Sequence, residues 1–336
     1  MIYPQFLKAK DVIGITAPSD GIVEEPDIFR LETAIKNFES LGFKIKETKD
    51  VRTSNKGKSA PSNIQAQELE ELFLDKEVKS IICSGGGDFL LEMLSEVNFE
   101  IIKNNPKWLQ GYSDPTGLLY TITTNLDIAT IYADNFKSFG MKDLHKSLIN
   151  NIEILKGNII EQESFEKYES KRPDRIIGNE NYNLDSDVKW EILNGDYINI
   201  KGRIIGGCID ILTELFGTRF DKTKDFIETY KQDGIIWYFD NCELTSESLI
   251  RTLWKFKDNG WFKYSKGILF GRSGIEQSCY GISFKEAVER VLADLNIPII
   301  INTDVGHVSP RMTFINGAIA NIESKNGKGK ISFELV

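Results

Sequence analysis

Histidine is nearly absent: the 336 residues contain only two, His145 and His307, so an imidazole that moves protons near neutral pH has just two possible addresses. Cysteine is sparse too. Cys83, Cys208, Cys242 and Cys279 are widely scattered, without CxxC spacing or the density of a disulfide scaffold, and they read as reduced and mostly buried. No His, Cys and carboxylate residues recur at metal-ligand spacing, so no bound metal and no cofactor is expected. There is no run of about eighteen apolar residues to cross a membrane. The opening Met1-Ile2-Tyr3-Pro4-Gln5-Phe6-Leu7-Lys8 lacks the basic and apolar regions of a secretion signal, which makes a cytoplasmic location the expectation. Basic residues are outnumbered, 41 against 50 acidic, with the signs interspersed and a formal charge of −9. That excludes an extended basic surface, and with it a nucleic-acid polymer as partner. Phosphate fingerprints are missing as well. Gly85-Gly86-Gly87-Asp88-Phe89-Leu90 does not satisfy GxGxxG, lacks the Lys-Ser/Thr of a P-loop, and carries an aspartate that would repel a pyrophosphate.

What is present is globular composition, 41% hydrophobic and 27% charged, in a chain long enough for two domains. Val12 to Thr16 reads as a short strand ending at Ala17-Pro18-Ser19, and Leu31, Ile35, Phe38 and Leu41 then fall on one helical face. The alternation continues with a strand at Phe43–Lys46, a helix at Ala66–Phe73, and a buried strand at Val78–Cys83 that ends in the glycine turn. Such alternation with short connections predicts a parallel, doubly wound α/β sheet, whose ligands bind beyond the carboxyl ends of its strands. Residues 1–160 are read as one domain. The polar stretch 161–190 is read as a linker or inserted loop, and residues 191–336 as a second α/β domain with strands at Gly234–Phe239, Gly267–Phe270 and Pro298–Ile301. Trp237, Trp254, Trp261 and Phe262 fit core positions better than a base-stacking pocket.

Chemistry concentrates at strand ends. Trp108-Leu109-Gln110 closes a strand, Leu118, Leu119, Ile122 and Leu126 recur at helical spacing, and Ser113 lies between them. Pro115 suits a first helical turn and pushes Asp114 out of helical geometry, as an N-cap requires. Ser113 is therefore a candidate nucleophile near free N–H groups, although an ordinary capped helix has the same local pattern. Gly85-Gly86-Gly87 offers N–H donors and close approach to a ligand, or is simply a tight turn. His307 follows the strand Ile299-Ile300-Ile301 and suits a general base, whereas His145 sits in a charged helix and reads as solvated. An acid is still needed to orient the imidazole. Asp240 directly follows its strand; Glu243 and Asp304 remain alternatives.

Taken in register, these motifs resemble the LD-carboxypeptidase and microcin-immunity family of serine peptidases. The likeness runs through Ala17-Pro18-Ser19, the glycine turn, Pro106 to Thr116, Arg203-Ile204-Ile205-Gly206-Gly207-Cys208, Leu215-Phe216-Gly217-Thr218, Gly271-Arg272, and Asp304-Val305-Gly306-His307 before Pro310. It implies an N-terminal flavodoxin-like or Rossmann-like domain carrying the nucleophile, a C-terminal α/β domain carrying acid and histidine, and a homodimer. It assigns Ser113 as nucleophile, His307 as base, and the backbone amides of Gly86 and Asp114 as oxyanion donors. The family's glutamate falls on Asp240, one methylene shorter, with Glu243 as the alternative acid. A second departure is Tyr132-Ala133-Asp134-Asn135, where the family often has His/Tyr-Gly-Pro. The implied substrate is a small peptide or peptide conjugate: a muropeptide stem cut at an L,D bond, or a peptidyl- or aminoacyl-nucleotide. A non-catalytic peptide-binding protein is the reading from another class. The substrate-binding residues are left unassigned.

Overall fold

The computed structural model describes residues 1–171, 176–275 and 277–336. They form two compact units. The first comprises Met1–Ile160, Lys171–Asn183 and Thr313–Asn316; the second comprises Glu161–Ser170, Leu184–Met312 and Gly317–Val336. The polar stretch 161–190 is thus shared between the units, and its residues 172–175 lie outside the described residues.

In the first unit, five parallel strands and one antiparallel edge strand make a six-stranded sheet. The parallel strands are Val12–Thr16, Lys44–Glu47, Val78–Cys83, Trp108–Gly111 and Thr130–Tyr132; counted in chain order they lie side by side as 2-1-3-4-5, the flavodoxin-like order. Phe314–Asn316 pairs antiparallel with the last of them. Strands covered on both faces should be near-continuous apolar runs, and Ile13, Ile15, Ile81, Ile82, Trp108 and Leu109 are all fully buried. In this sheet the strand order reverses between the parallel first and third strands, so the crevice falls at Ala17-Pro18-Ser19 and Ser84–Gly87. The helix Thr116–Leu126 buries Leu118, Leu119 and Ile122 and stops at Asp127, which takes a left-handed conformation.

The second unit holds an eight-stranded mixed sheet. Its centre is parallel, running Tyr197–Cys208, Ile235–Asp240, Ser265–Gly271 and Ile299–Thr303. On one flank Ile319–Lys325 pairs antiparallel with Tyr197–Cys208 and then with Lys328–Glu334 in a hairpin. The aromatic core expected here exists in part: Trp237 and Trp261 stack at 5.5 Å and Phe262 meets Trp237 edge-on. Trp254 departs from the expectation and is 60% exposed, because Leu249, Leu253 and Phe256 occupy the inward face of helix Ser246–Asp258. Of the four cysteines, Cys83 and Cys208 are buried, Cys242 is half-buried and Cys279 exposed.

Candidate active site

The first unit contributes a serine turn. Strand Trp108–Gly111 ends, and Ser113 takes φ = +69°, a left-handed conformation that costs an L-residue roughly 1–2 kcal/mol. The fold holds it there through its neighbours. Asn135 clasps Tyr112 from both sides, its Oδ1 accepting from the Tyr112 N–H at 3.1 Å and its Nδ2 donating to the Tyr112 carbonyl at 3.2 Å. The Tyr132 hydroxyl accepts from the Ser113 N–H at 3.4 Å. The helix then starts, with Thr116 N–H donating to the Ser113 carbonyl at 2.9 Å and Gly117 N–H to the Asp114 carbonyl at 3.0 Å. Tyr132 and Asn135 belong to the segment where the chain departs from the family pattern, and sequence reasoning gave neither a role.

Asp114 does not act as the expected N-cap. Pro115 occupies that position in helical geometry, and the Asp114 side chain turns away from its own helix. It is 1% exposed and accepts from the Ser19 hydroxyl and, at 2.9 Å, from the Leu90 N–H. One carboxylate therefore ties the first strand's loop and the segment after the glycine turn to the serine turn. Burial pushes the Asp114 carboxyl above its ordinary pKa, although these hydrogen bonds pull the other way. Gly86 packs so closely on the serine that a β-carbon there would sit 3.2 Å from Ser113 Oγ and 3.9 Å from the Asp114 nitrogen. The backbone of the glycine turn and the start of the helix thus lie beside the hydroxyl.

The second unit contributes a histidine and its acid. Cys208 and Asp240 are register partners at the carboxyl ends of adjacent parallel strands. Asp240 is fully buried. One of its oxygens lies 2.8 Å from His307 Nδ1, and the other accepts from the His307 N–H at 3.2 Å. The imidazole is 21% exposed. Gly306, at φ = +100°, is required by this contact: a β-carbon there would fall 2.0 Å from Asp240 Oδ1. Arg311, which sequence reasoning did not single out, donates from Nε to the Gly306 carbonyl at 2.5 Å and from Nη2 to the His307 carbonyl at 3.4 Å.

The other acids are placed differently. Asp304 is fully buried and accepts from Arg272 Nη1 at 2.6 Å and from the Trp190 indole at 2.8 Å, which makes it a strut beneath the histidine loop. Glu243 is exposed, and its backbone N–H donates to Asp210 at 2.9 Å. Asp210 also accepts from Cys242 N–H at 3.0 Å and from the Cys208 thiol at 3.3 Å, fixing the turn after Asp240. Its position two residues past the strand end was the available signal for it. The ligand-capable atoms of Cys208, Asp240 and His307 lie within 4.8 Å of one another, a cluster that spacing along the chain does not reveal. Burial, with Asp240 and Asp210 nearby, holds the Cys208 thiol far above its ordinary pKa.

His145 also differs from its expected place on a solvated face. It is the N-cap of helix Lys146–Leu155, its Nδ1 accepting from the Ser147 N–H at 3.1 Å, and burial lowers its pKa.

A flavodoxin-like sheet presenting a strained serine, joined in one chain to an α/β unit with a carboxylate-bound histidine, is a hydrolase-type inventory. Residues 13–133 match the LD-carboxypeptidase N-terminal domain and residues 201–322 the LD-carboxypeptidase C-terminal domain, and the chain belongs to this peptidase family. It is 29% identical to YocD of Bacillus subtilis, named as a carboxypeptidase, over 98% of both chains. It is 24% identical to the microcin self-immunity protein MccF of Escherichia coli, over 88% of this chain and 86% of that one. The solved structure of an MccF-like protein from Bacillus anthracis superposes with a TM-score of 0.84 at 27% identity, covering all of both chains. Among the described residues no helix is long and apolar enough to cross a membrane.

Proposed function

We propose that the chain is a serine-dependent amidase that cleaves an L,D-peptide bond of a muropeptide stem. The observation that carries this reading is the 2.8 Å contact between His307 Nδ1 and the buried Asp240 carboxylate. An acid on Nδ1 keeps the proton there, leaves Nε2 as the base and stabilises the imidazolium once it forms. In this mechanism Nε2 takes the proton of Ser113 Oγ as the hydroxyl attacks the scissile carbonyl, then returns it to the departing amine. The Gly86 and Asp114 amides receive the oxyanion, a role worth about 3 kcal/mol per donor in comparable enzymes. Asp240 is the acid of this reading and Glu243 is not. A homodimer in the cytoplasm is the proposed setting.

Similarity to the MccF-like structure at 27% identity favours a second substrate, an aminoacyl- or peptidyl-nucleotide cut at the acyl–nitrogen bond. An MccF structure with the same fold has been solved with aspartyl sulfamoyl adenosine. The test is incubation with a murein tetrapeptide and, separately, with an aminoacyl sulfamoyl-adenosine, with products read by mass. Release of the terminal D-residue by the wild type and not by Ser113→Ala supports the first reading. Cleavage of the nucleotide conjugate alone supports the second. Binding of either compound without products would make the chain a peptide-binding protein.

A further inference from the structure

The glycine turn has a second neighbour that the proposed mechanism does not use. Gly86 faces the Ser113 hydroxyl, and the preceding residue, Gly85, faces a lysine: a β-carbon on Gly85 would lie 3.8 Å from Lys137 Cε and 4.0 Å from its Nζ. Successive α-carbons are about 3.8 Å apart, so hydroxyl and ammonium flank adjacent positions of one short turn. Lys137 is anchored at both ends. Its backbone N–H donates to the carbonyl of Ser84, the residue just before the turn, at 3.3 Å, and its Nζ lies 2.6 Å from Asp27. The side chain is 21% exposed and that of Asp27 26%, so the pair is partly dehydrated yet open to a ligand. An ammonium has three donors and Asp27 takes one.

We infer that Lys137, steadied by Asp27, receives the negative charge that a substrate carries within two bonds of its scissile nitrogen. The inference rests on the amidase reading and adds the chemical class of the leaving group. A terminal amino acid has its carboxylate one carbon from that nitrogen, and a nucleotide conjugate has an acidic phosphoryl or sulfamoyl group bonded directly to it. Both offer an anion at the same place, while an internal peptide bond offers none. A fixed cation at the turn thereby selects chain ends over chain interiors. Asp27 fixes where the ammonium sits, through its 2.6 Å contact with Nζ. The contact is a charge-assisted hydrogen bond, which corresponds to roughly a 10- to 100-fold preference for the anionic substrate.

The experiment compares kcat/KM of wild type, Lys137→Met and Lys137→Arg on two matched pairs. One pair is a peptide ending in a D-residue carboxylate and its C-terminal amide; the other is an acyl sulfamate and its neutral N-alkyl amide. The wild type is expected to favour the anionic member of the pair it cleaves by roughly 10- to 100-fold, Lys137→Met to bring that ratio close to one, and Lys137→Arg to restore most of it. The pair that responds identifies the source of the anion. A Lys137→Met protein that keeps the wild-type ratio, or slows both members in parallel as a merely structural ion pair would, overturns the inference. Should the wild type cleave neither pair, the amidase reading fails, and calorimetric binding of the same pairs to wild type and Lys137→Met decides the lysine's role separately. Equal affinity for acid and amide, or a preference that survives Lys137→Met, would refute it.

Discussion

Replacing Gly306 with alanine probes the histidine loop at its tightest point. The new β-carbon would stand 2.0 Å from Asp240 Oδ1, against an ordinary contact of 3.4 Å or more, so the carboxylate or the loop must move by over about 1 Å. Two costs add. Holding an L-residue at φ = +100° costs roughly 1–2 kcal/mol. Disturbing the hydrogen bond that His307 N–H donates to this buried charge, together with its 2.8 Å contact to Nδ1, costs roughly 1.5–3 kcal/mol more. Gly260→Ala is the matched control, since Gly260 has φ = +88° but nothing within 4 Å of the added carbon, and it should pay only the first cost. At about 2–4 °C per kcal/mol, thermal melts should place Gly306→Ala roughly 3–12 °C below Gly260→Ala. A displacement of about 1 Å at a catalytic group also predicts roughly a hundredfold loss of kcat/KM in Gly306→Ala alone. If both variants melt together and turn over substrate alike, the contact between Gly306 and Asp240 does not constrain the site as described.

Ser113→Gly should abolish turnover yet raise stability by about 1 kcal/mol, because glycine accepts φ = +69° without penalty; a lower melting temperature would argue against strain at that turn. Asp240→Asn should cost about 10⁴-fold in kcat through loss of the correct tautomer, while Glu243→Gln should stay within a few-fold, and the reverse order would reassign the acid. For His145 the lowered pKa means that the neutral ring is favoured in the fold. Its contribution is therefore present above the ordinary value and lost as pH falls through the lowered one. His145→Ala should cost about 1 kcal/mol near pH 7.5 as a lost cap, with the gap from wild type closing below about pH 6; a gap that widens in acid would contradict the Nδ1 acceptor.

Much of this architecture is written in local patterns. The alternating strands and helices of the first unit, the serine at a strand-to-helix junction, and the placement of Asp240 at the end of its strand and His307 after its own follow from apolar runs, proline and glycine positions. What local pattern cannot carry is contact between distant segments. Asp114 read as a cap because its neighbours fit one, and only the fold shows that Ser19 and Leu90 claim its carboxylate. Trp254 read as core because size says nothing about which helical face it occupies. His145 looked solvated beside Lys146, yet its backbone position made it a cap. The hairpin Ile319–Glu334 went unread despite alternating burial, since a two-residue period without neighbouring helices leaves little to set its place in a sheet. Asp210, Tyr132 and Asn135 each act on a segment remote in sequence, which no spacing rule reports, and Arg311 braces its own loop through backbone carbonyls that carry no residue pattern.

The most direct measurement is covalent labelling with a fluorophosphonate, followed by peptide mapping, in wild type, His307→Ala and Asp240→Asn. Phosphonylation of Ser113 alone in the wild type, slowed by orders of magnitude in either variant, is the predicted result. Labelling that misses Ser113, or proceeds at the wild-type rate without His307, would contradict a nucleophile activated by that histidine.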